Sequence, residues 1–140
     1  SYGSSKHDCK LENGGNLANG EYLVGPVAEV NGVSYATLAD AINAAKDGEK
    51  VNMLASTVCT ENTDLTEVKS VTVDFAQHTF TGDNKNIAIR SKAEGAGVLT
   101  LMNGTITTGD GTYCTLGAAN GSAIVVKDMI LNNSTAFGEV

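Results

Sequence analysis

Asp74 and Arg90 are one candidate catalytic grouping of this chain, and Arg90 is its only arginine. A carboxylate near a guanidinium could transfer a proton or hold an acidic substrate. Calcium, in contrast, needs several carboxylates at one place. Strand alternation places Asp74 outward between Asn52 and Thr100, neither of which is acidic. We therefore interpret Asp74 and Arg90 as solvated strand residues, and a catalytic pair is the alternative.

His78 follows Asp74 by four residues and is the first candidate for a metal ligand. The equivalent positions in the repeats described below hold Ser56, Gly104 and Met129, which are poor partners for a metal. We interpret His78 as a turn residue. His7, in KHDC, lacks a partner pair, so no metal or cofactor site is predicted.

Threonine rows could present a flat hydroxyl face to a glycan or to ice. The residues are Thr79, Thr81, Thr105, Thr107 and Thr108. Threonine also favours exposed strand positions for no functional reason, and this is the interpretation that we prefer. Asn-x-Ser/Thr sequons begin at Asn103, Asn120, Asn132 and Asn133. They matter only in a eukaryotic secretory pathway, and Asn103 is expected in a turn.

Composition restricts the classes of function. The chain has 140 residues, enough for one domain, with 16 Gly, one Pro and a net charge of −7. Such an acidic chain should repel phosphate backbones, so nucleic-acid binding is not expected. No run of 18 or more apolar residues is present, so no membrane span is predicted. No signal peptide is visible in the sequence.

Three cysteines, Cys9, Cys59 and Cys114, are an odd number without a CxxC motif. Neither a disulfide framework nor a zinc site is indicated. We interpret them as buried or incidental thiols. A single bond between Cys9 and Cys59 is the alternative.

One helix is predicted near the start of the chain, at about residues 37–47. Residues 1–20 read as a flexible tail or loop, and 21–33 as extended chain that ends in an Asn31-Gly32 turn. Thr37 is the predicted N-cap, and Gly48 is the expected left-handed C′ residue. The apolar stripe is narrow, so this helix should lie flat on a larger surface; its residues are Leu38, Ala41, Ile42 and Ala45.

Short alternating segments after Gly48 repeat every 22–26 residues. Three apolar columns keep register through four repeats. They are Val51, Val73, Leu99 and Ile124; Met53, Phe75, Leu101 and Val126; and Val58, Phe80, Ile106 and Leu131. A weaker fourth column is Leu65, Ile87 and Tyr113.

This period is too short for a βαβ unit, and it predicts an all-β solenoid. The specific expectation is a right-handed parallel β-helix of about four rungs that starts near residue 51 and has an N-terminal capping α-helix. The domain would comprise residues 21–140, as the N-terminal part of a longer solenoid or with its open end covered by another chain. A Greek-key sandwich is the alternative.

The chain resembles right-handed parallel β-helix proteins of the pectate-lyase-like superfamily over about residues 27–140. The resemblance lies in SYATLADAINAAKDGEKVNML, VTVDFAQHTFTG and LTLMNGTITTG. Gln77 stands where the second motif usually has Gly. The longer stretch VAEVNGVSYATLADAINAAKDGEKVNML most resembles repeat modules of large extracellular proteins of Gram-positive bacteria, which implies an extracellular, adhesion-type role. Enzymes of the superfamily hold calcium with clustered acids, which the columns here do not supply.

The expected function is a non-catalytic structural or adhesion-type module of a bacterial surface protein, without a cofactor. A phage fibre, spike or filament subunit on a virion surface is the first alternative, and a polysaccharide-active enzyme fragment is the second. A glycan or a host or cell-surface ligand is the expected partner. The helix should cover one end of the core, whereas the segment MILNNSTAFGEV shows no C-terminal cap, so self-association at that end is also expected.

Overall fold

The computed structural model describes residues 9–11, 25–83, 87–91, 97–109, 112, 114–119 and 121–133. Within them lie one helix, α1, and twelve strands, numbered in chain order. The first six strands are β1 (Cys9–Leu11), β2 (Ala28–Val30), β3 (Val33–Tyr35), β4 (Lys50–Met53), β5 (Thr57–Cys59) and β6 (Thr63–Leu65). The others are β7 (Val71–Asp74), β8 (Thr79–Gly82), β9 (Ile87–Ser91), β10 (Val98–Thr108), β11 (Cys114–Ala118) and β12 (Ala123–Asn133).

The described strands form two sheets. The larger sheet has the order β1-β5-β8-β10-β7-β4-β2-β3, and β12 pairs with the other edge of β10. The smaller sheet has the order β11-β9-β6. β10 pairs in parallel with β7 through its first half and with β8 through its second half.

Parallel pairing joins strands that lie one repeat apart in the sequence. Val51 pairs with Val73 and Leu99 with Ile124, as the columns predicted. Val73 pairs with Leu101 rather than with Leu99, a shift of two residues that leaves the same face inward. In the third column Thr57, not Val58, is the partner of Phe80, and Val58 therefore faces outward with Thr81.

The prediction of a right-handed parallel β-helix of about four rungs is wrong. The sheets are mixed, because β1 pairs antiparallel with β5, and β2 pairs antiparallel with both β3 and β4. A closed β-helix is not evident among the described strands. The repeat spacing indicates only that strands one repeat apart in the sequence lie side by side in a sheet. It carries no information on the strands outside the repeats or on closure of the sheets.

The β2–β3 hairpin turns at Asn31 and Gly32, whose φ angles of 51° and 77° suit a two-residue hairpin loop. The sequence predicted this turn, but it did not predict that β2 also pairs with β4. β2 covers the edge of β4, and β1 covers the edge of β5 in a segment that was expected to be a loop. β2 and β1, rather than the helix, therefore satisfy the backbone N–H and C=O groups at the edges of β4 and β5.

Helix α1 comprises Leu38–Ala44 and is shorter than predicted. Thr37 is its N-cap and accepts a hydrogen bond on Oγ1 from the amide of Asp40 at 3.0 Å. The predicted apolar stripe is buried against the core. Gly48 has a φ of 83°, but it lies in a later turn, because the helix ends at the C-cap Ala45.

The core lies between the strands and α1. Phe75 and Phe80 are its largest fully buried side chains. The repeats contribute most of the remainder, chiefly Val51, Met53, Leu65, Val71, Val73, Ile89, Leu99, Leu101 and Ile106. Gly104 packs directly over Phe75, and a Cβ atom at this position would clash with that of Phe75.

Candidate functional site

The sequence candidates Asp74 and Arg90 lie in different sheets. Arg90, in β9, lies opposite Asp64 of β6 in the smaller sheet. Its Nε donates to Oδ1 of Asp64 at 2.9 Å, and its Nη2 donates to Oδ2 at 2.8 Å. These hydrogen bonds raise the pKa of Arg90 above its usual value despite partial burial. Arg90 is therefore committed to a fixed ion pair with Asp64.

Asp74 lies at the end of β7 in the larger sheet. Its Oδ1 accepts hydrogen bonds from the amide of Ala76 at 2.9 Å and from Nδ2 of Asn103 at 3.4 Å. Lys50 of β4 approaches Oδ2 at 3.6 Å. The amide of Ala76 is the largest cause that lowers the pKa of Asp74, and Asn103 and Lys50 add to it against partial desolvation. The ladder neighbours are Asn52 and Met102, not Thr100 as predicted.

His78 directly follows the turn at Ala76 and Gln77, both of which have positive φ angles. Its backbone amide donates to the carbonyl of Phe75, and its own carbonyl accepts from the amide of Thr105. The backbone of His78 therefore links the turn to β10. His7 lies outside the described residues.

Lys69 is a feature that the sequence did not indicate. Its side chain is buried, and Nζ donates to the carbonyls of Asn43 at 3.0 Å and Ala45 at 2.6 Å. Glu67 lies 3.8 Å from the same ammonium group. The cation thus satisfies carbonyls at the C-terminus of α1, where the helix dipole favours positive charge.

Four of the five threonines form a two-by-two array on the outside of the larger sheet. Thr79 pairs with Thr105, and Thr81 pairs with Thr107, on adjacent parallel strands. Neighbouring strands lie about 4.8 Å apart, so the array is compact. Thr108 does not belong to it, because its side chain is buried and its Oγ1 donates to the carbonyl of Asn132 at 3.5 Å.

Asn103 adopts a left-handed conformation with a φ of 61°, as expected for a turn residue. Asp128, its equivalent one repeat later, has a φ of 53°. Asn132 and Asn133 lie within β12, and Asn120 is outside the described residues.

The cysteines differ in state. Cys59 is disulfide-bonded, contrary to the interpretation of all three as thiols, and Cys114 is a buried thiol. The register of β1 places Cys9 opposite Cys59. The spacing of the cysteines does not indicate that β1 pairs antiparallel with β5. The sequence therefore did not favour a Cys9–Cys59 bond over free thiols.

β12 forms an exposed edge of the larger sheet. Among the described strands only β10 pairs with it. Val125, Val126 and Ile130 are 39%, 44% and 59% exposed. This 11-residue strand therefore combines a long free edge with apolar side chains.

Comparison with family models, curated proteins and solved structures gave no match. Within the described ranges, no group of three His, Cys, Asp or Glu side chains could hold a metal ion. No helix in the part of the chain that the structure describes is long and apolar enough to cross a membrane.

Proposed function

We propose that this chain is a non-catalytic structural or adhesion-type module of a bacterial surface protein. One observation carries the proposal: two ion pairs link neighbouring strands. Arg90 and Asp64 connect β9 to β6, and Lys50 lies beside Asp74 across the β4–β7 ladder. Side chains engaged in this way hold adjacent repeats together, a role suited to a rigid module.

The Cys59 disulfide supports an extracellular location. Disulfides persist in oxidising compartments and are rare in the reducing cytosol. Strand preference accounts for the outward threonine array without a function. The alternative role of this array would be to bind a glycan or a host-cell ligand, because hydroxyl groups both donate and accept hydrogen bonds.

Surface exposure is tested with antibodies raised against the purified protein. They should bind intact cells of the organism that encodes it. Binding that requires cell lysis would contradict the extracellular assignment.

Catalysis is tested separately with uronic-acid polymers in the presence of calcium. We expect no formation of unsaturated products by the wild-type protein. Cleavage that disappears in Asp74→Ala, while the variant keeps the wild-type melting temperature, would favour the enzyme alternative and overturn the proposal.

A further inference from the structure

Edge strand β12 carries a sequence that is complementary to itself in the antiparallel direction. Its central residues are Lys127 and Asp128, both exposed. When a second copy of the strand is laid antiparallel beside it, with Lys127 of each copy opposite Asp128 of the other, apolar residues meet on both sides of this centre. The resulting pairs are Val126 with Met129, Val125 with Ile130, and Ile124 with Leu131.

The faces of the strand agree with this register. By its pairing with β10, Val126 lies beside buried Leu101, and Met129 lies beside buried Gly104. Both therefore point inward. In regular alternation, residues three apart point to opposite faces. The left-handed corner at Asp128, with a φ of 53°, resets the alternation between them.

Directly opposed residues of an antiparallel pair point to the same face of the sheet. The corner at Asp128 thus allows inward residues to meet inward residues, and outward Val125 to meet outward Ile130. Shifting the second copy by one residue either way would oppose Lys127 to Lys127 or Asp128 to Asp128. Like charges directly opposite each other are destabilising, so one register is selected.

We propose that two copies of this chain associate through β12 in this antiparallel register. The two-fold axis would pass between the two equivalent Lys127–Asp128 contacts, perpendicular to the sheet. The contact is isologous and occupies the same edge in both copies, so it gives a closed dimer instead of a filament. It would cover apolar side chains that each isolated copy exposes, chiefly Val126 and Ile130. This inference does not depend on the proposed function.

Charge exchange tests the register. In Lys127→Glu homodimers two acidic residues would meet at both symmetric contacts, and in Asp128→Lys homodimers two lysines would meet. A mixture of the two variants restores opposite charges at both contacts. Sedimentation equilibrium should show dimers for the wild type, a dissociation constant at least about tenfold higher for each variant alone, and recovery of dimers in the equimolar mixture.

Lys46→Glu is the matched control, because it makes the same change of charge at an exposed position next to α1. It should leave dimerisation unchanged. Lysine at position 128 is strained by the positive φ, so melting temperatures are measured for each variant alone. If Asp128→Lys does not fold, Asp128→Asn, which tolerates this conformation, should still weaken the dimer. A wild-type protein that stays monomeric up to its solubility limit overturns the proposal. Filaments, or dimers indifferent to both charge variants, also overturn it.

Discussion

Arg90 and Asp64 form a two-point ion pair across the β6–β9 ladder, with N···O distances of 2.9 and 2.8 Å. Only 17% of the arginine side chain and 13% of the aspartate side chain are exposed. Two parallel hydrogen bonds fix the planar guanidinium in a way that a lysine ammonium does not reproduce. The pair thus fixes the lateral position of two adjacent strands of the smaller sheet.

Arg90→Ala should lower the free energy of unfolding by about 1–3 kcal/mol, because it leaves a partly buried carboxylate without its cation. Arg90→Lys should recover only part of this loss. A double-mutant cycle with Asp64→Asn, measured by urea denaturation, should give a favourable coupling energy. The more exposed Lys50–Asp74 contact is the comparison, and Lys50→Ala should cost at most about 1 kcal/mol. Equal losses at both sites would contradict the structural role given to Arg90.

Because of Asp74, the free energy of unfolding should fall as the pH is lowered through the acid range. Its pKa in the folded protein is lowered, chiefly by the amide of Ala76, so folding favours the ionised form. This contribution is fully present above the unfolded pKa of about 3.9 and is lost as pH falls through the lower folded pKa. Asp74→Asn should therefore be less stable than the wild type at neutral pH, and the difference should shrink in strong acid. Thermal melts from neutral to acid pH check the sign, and a constant difference would contradict it.

Phe75→Asp should abolish folding, because it places a carboxylate in the centre of the core, where Phe75 is fully buried. Val68→Asp is the control, since 64% of Val68 is exposed and its replacement should change stability by less than about 0.5 kcal/mol. Circular dichroism and thermal melting distinguish the two variants. A Phe75→Asp protein that melts like the wild type would contradict the inward orientation of this column.

Lys69→Met keeps the length and burial of the side chain but removes its hydrogen-bond donors. The carbonyls of Asn43 and Ala45 would lose a partner, which should lower the free energy of unfolding by about 1–3 kcal/mol. Lys46→Met, at an exposed position, is the matched control. If both variants unfold at the same urea concentration as the wild type, Lys69 does not stabilise the end of α1.

Removal of the disulfide by Cys59→Ser should lower the free energy of unfolding by about 2–4 kcal/mol. Since Cys114 is a thiol, we expect Cys9 to be the partner, and Cys9→Ser should have the same effect. Mass spectrometry of peptides from the non-reduced protein identifies the bond directly. A Cys114→Ser variant should keep the disulfide, and a bond found at Cys114 would contradict the assignment.

The sequence predicted the local features of the fold more successfully than its closure. Thr37 as N-cap, the Asn31-Gly32 turn and the left-handed Asn103 follow from short-range backbone preferences, and each is present. Parallel pairing one repeat apart is also readable, because inward apolar residues recur with the repeat. The position of β1 and β2 depends on which edges remain open after the repeats have paired, and this is a property of the whole fold.

The partners of Arg90 and Lys69 also depend on the whole fold rather than on local backbone preferences. Asp64 and Arg90 lie 26 residues apart, whereas the columns separate the first two repeats by 22 residues, so the column spacing did not place these two residues opposite each other. The contacts of Lys69 were not predictable either. Its partners are backbone carbonyls at the end of α1, and the sequence pattern does not indicate which carbonyls a lysine will reach.

The central position of β10 has a consequence for synthesis of the chain on the ribosome. In the larger sheet, β5 and β8 lie on one side of the order and β7 and β4 on the other, and among the described strands β10 alone joins the two groups. Residues up to Gly82 can form both groups, but no strand ladder connects them until Val98–Thr108 has emerged. A nascent chain stalled before β10 should therefore be readily cut by proteases, and resistance should appear in one step once Thr108 has left the exit tunnel.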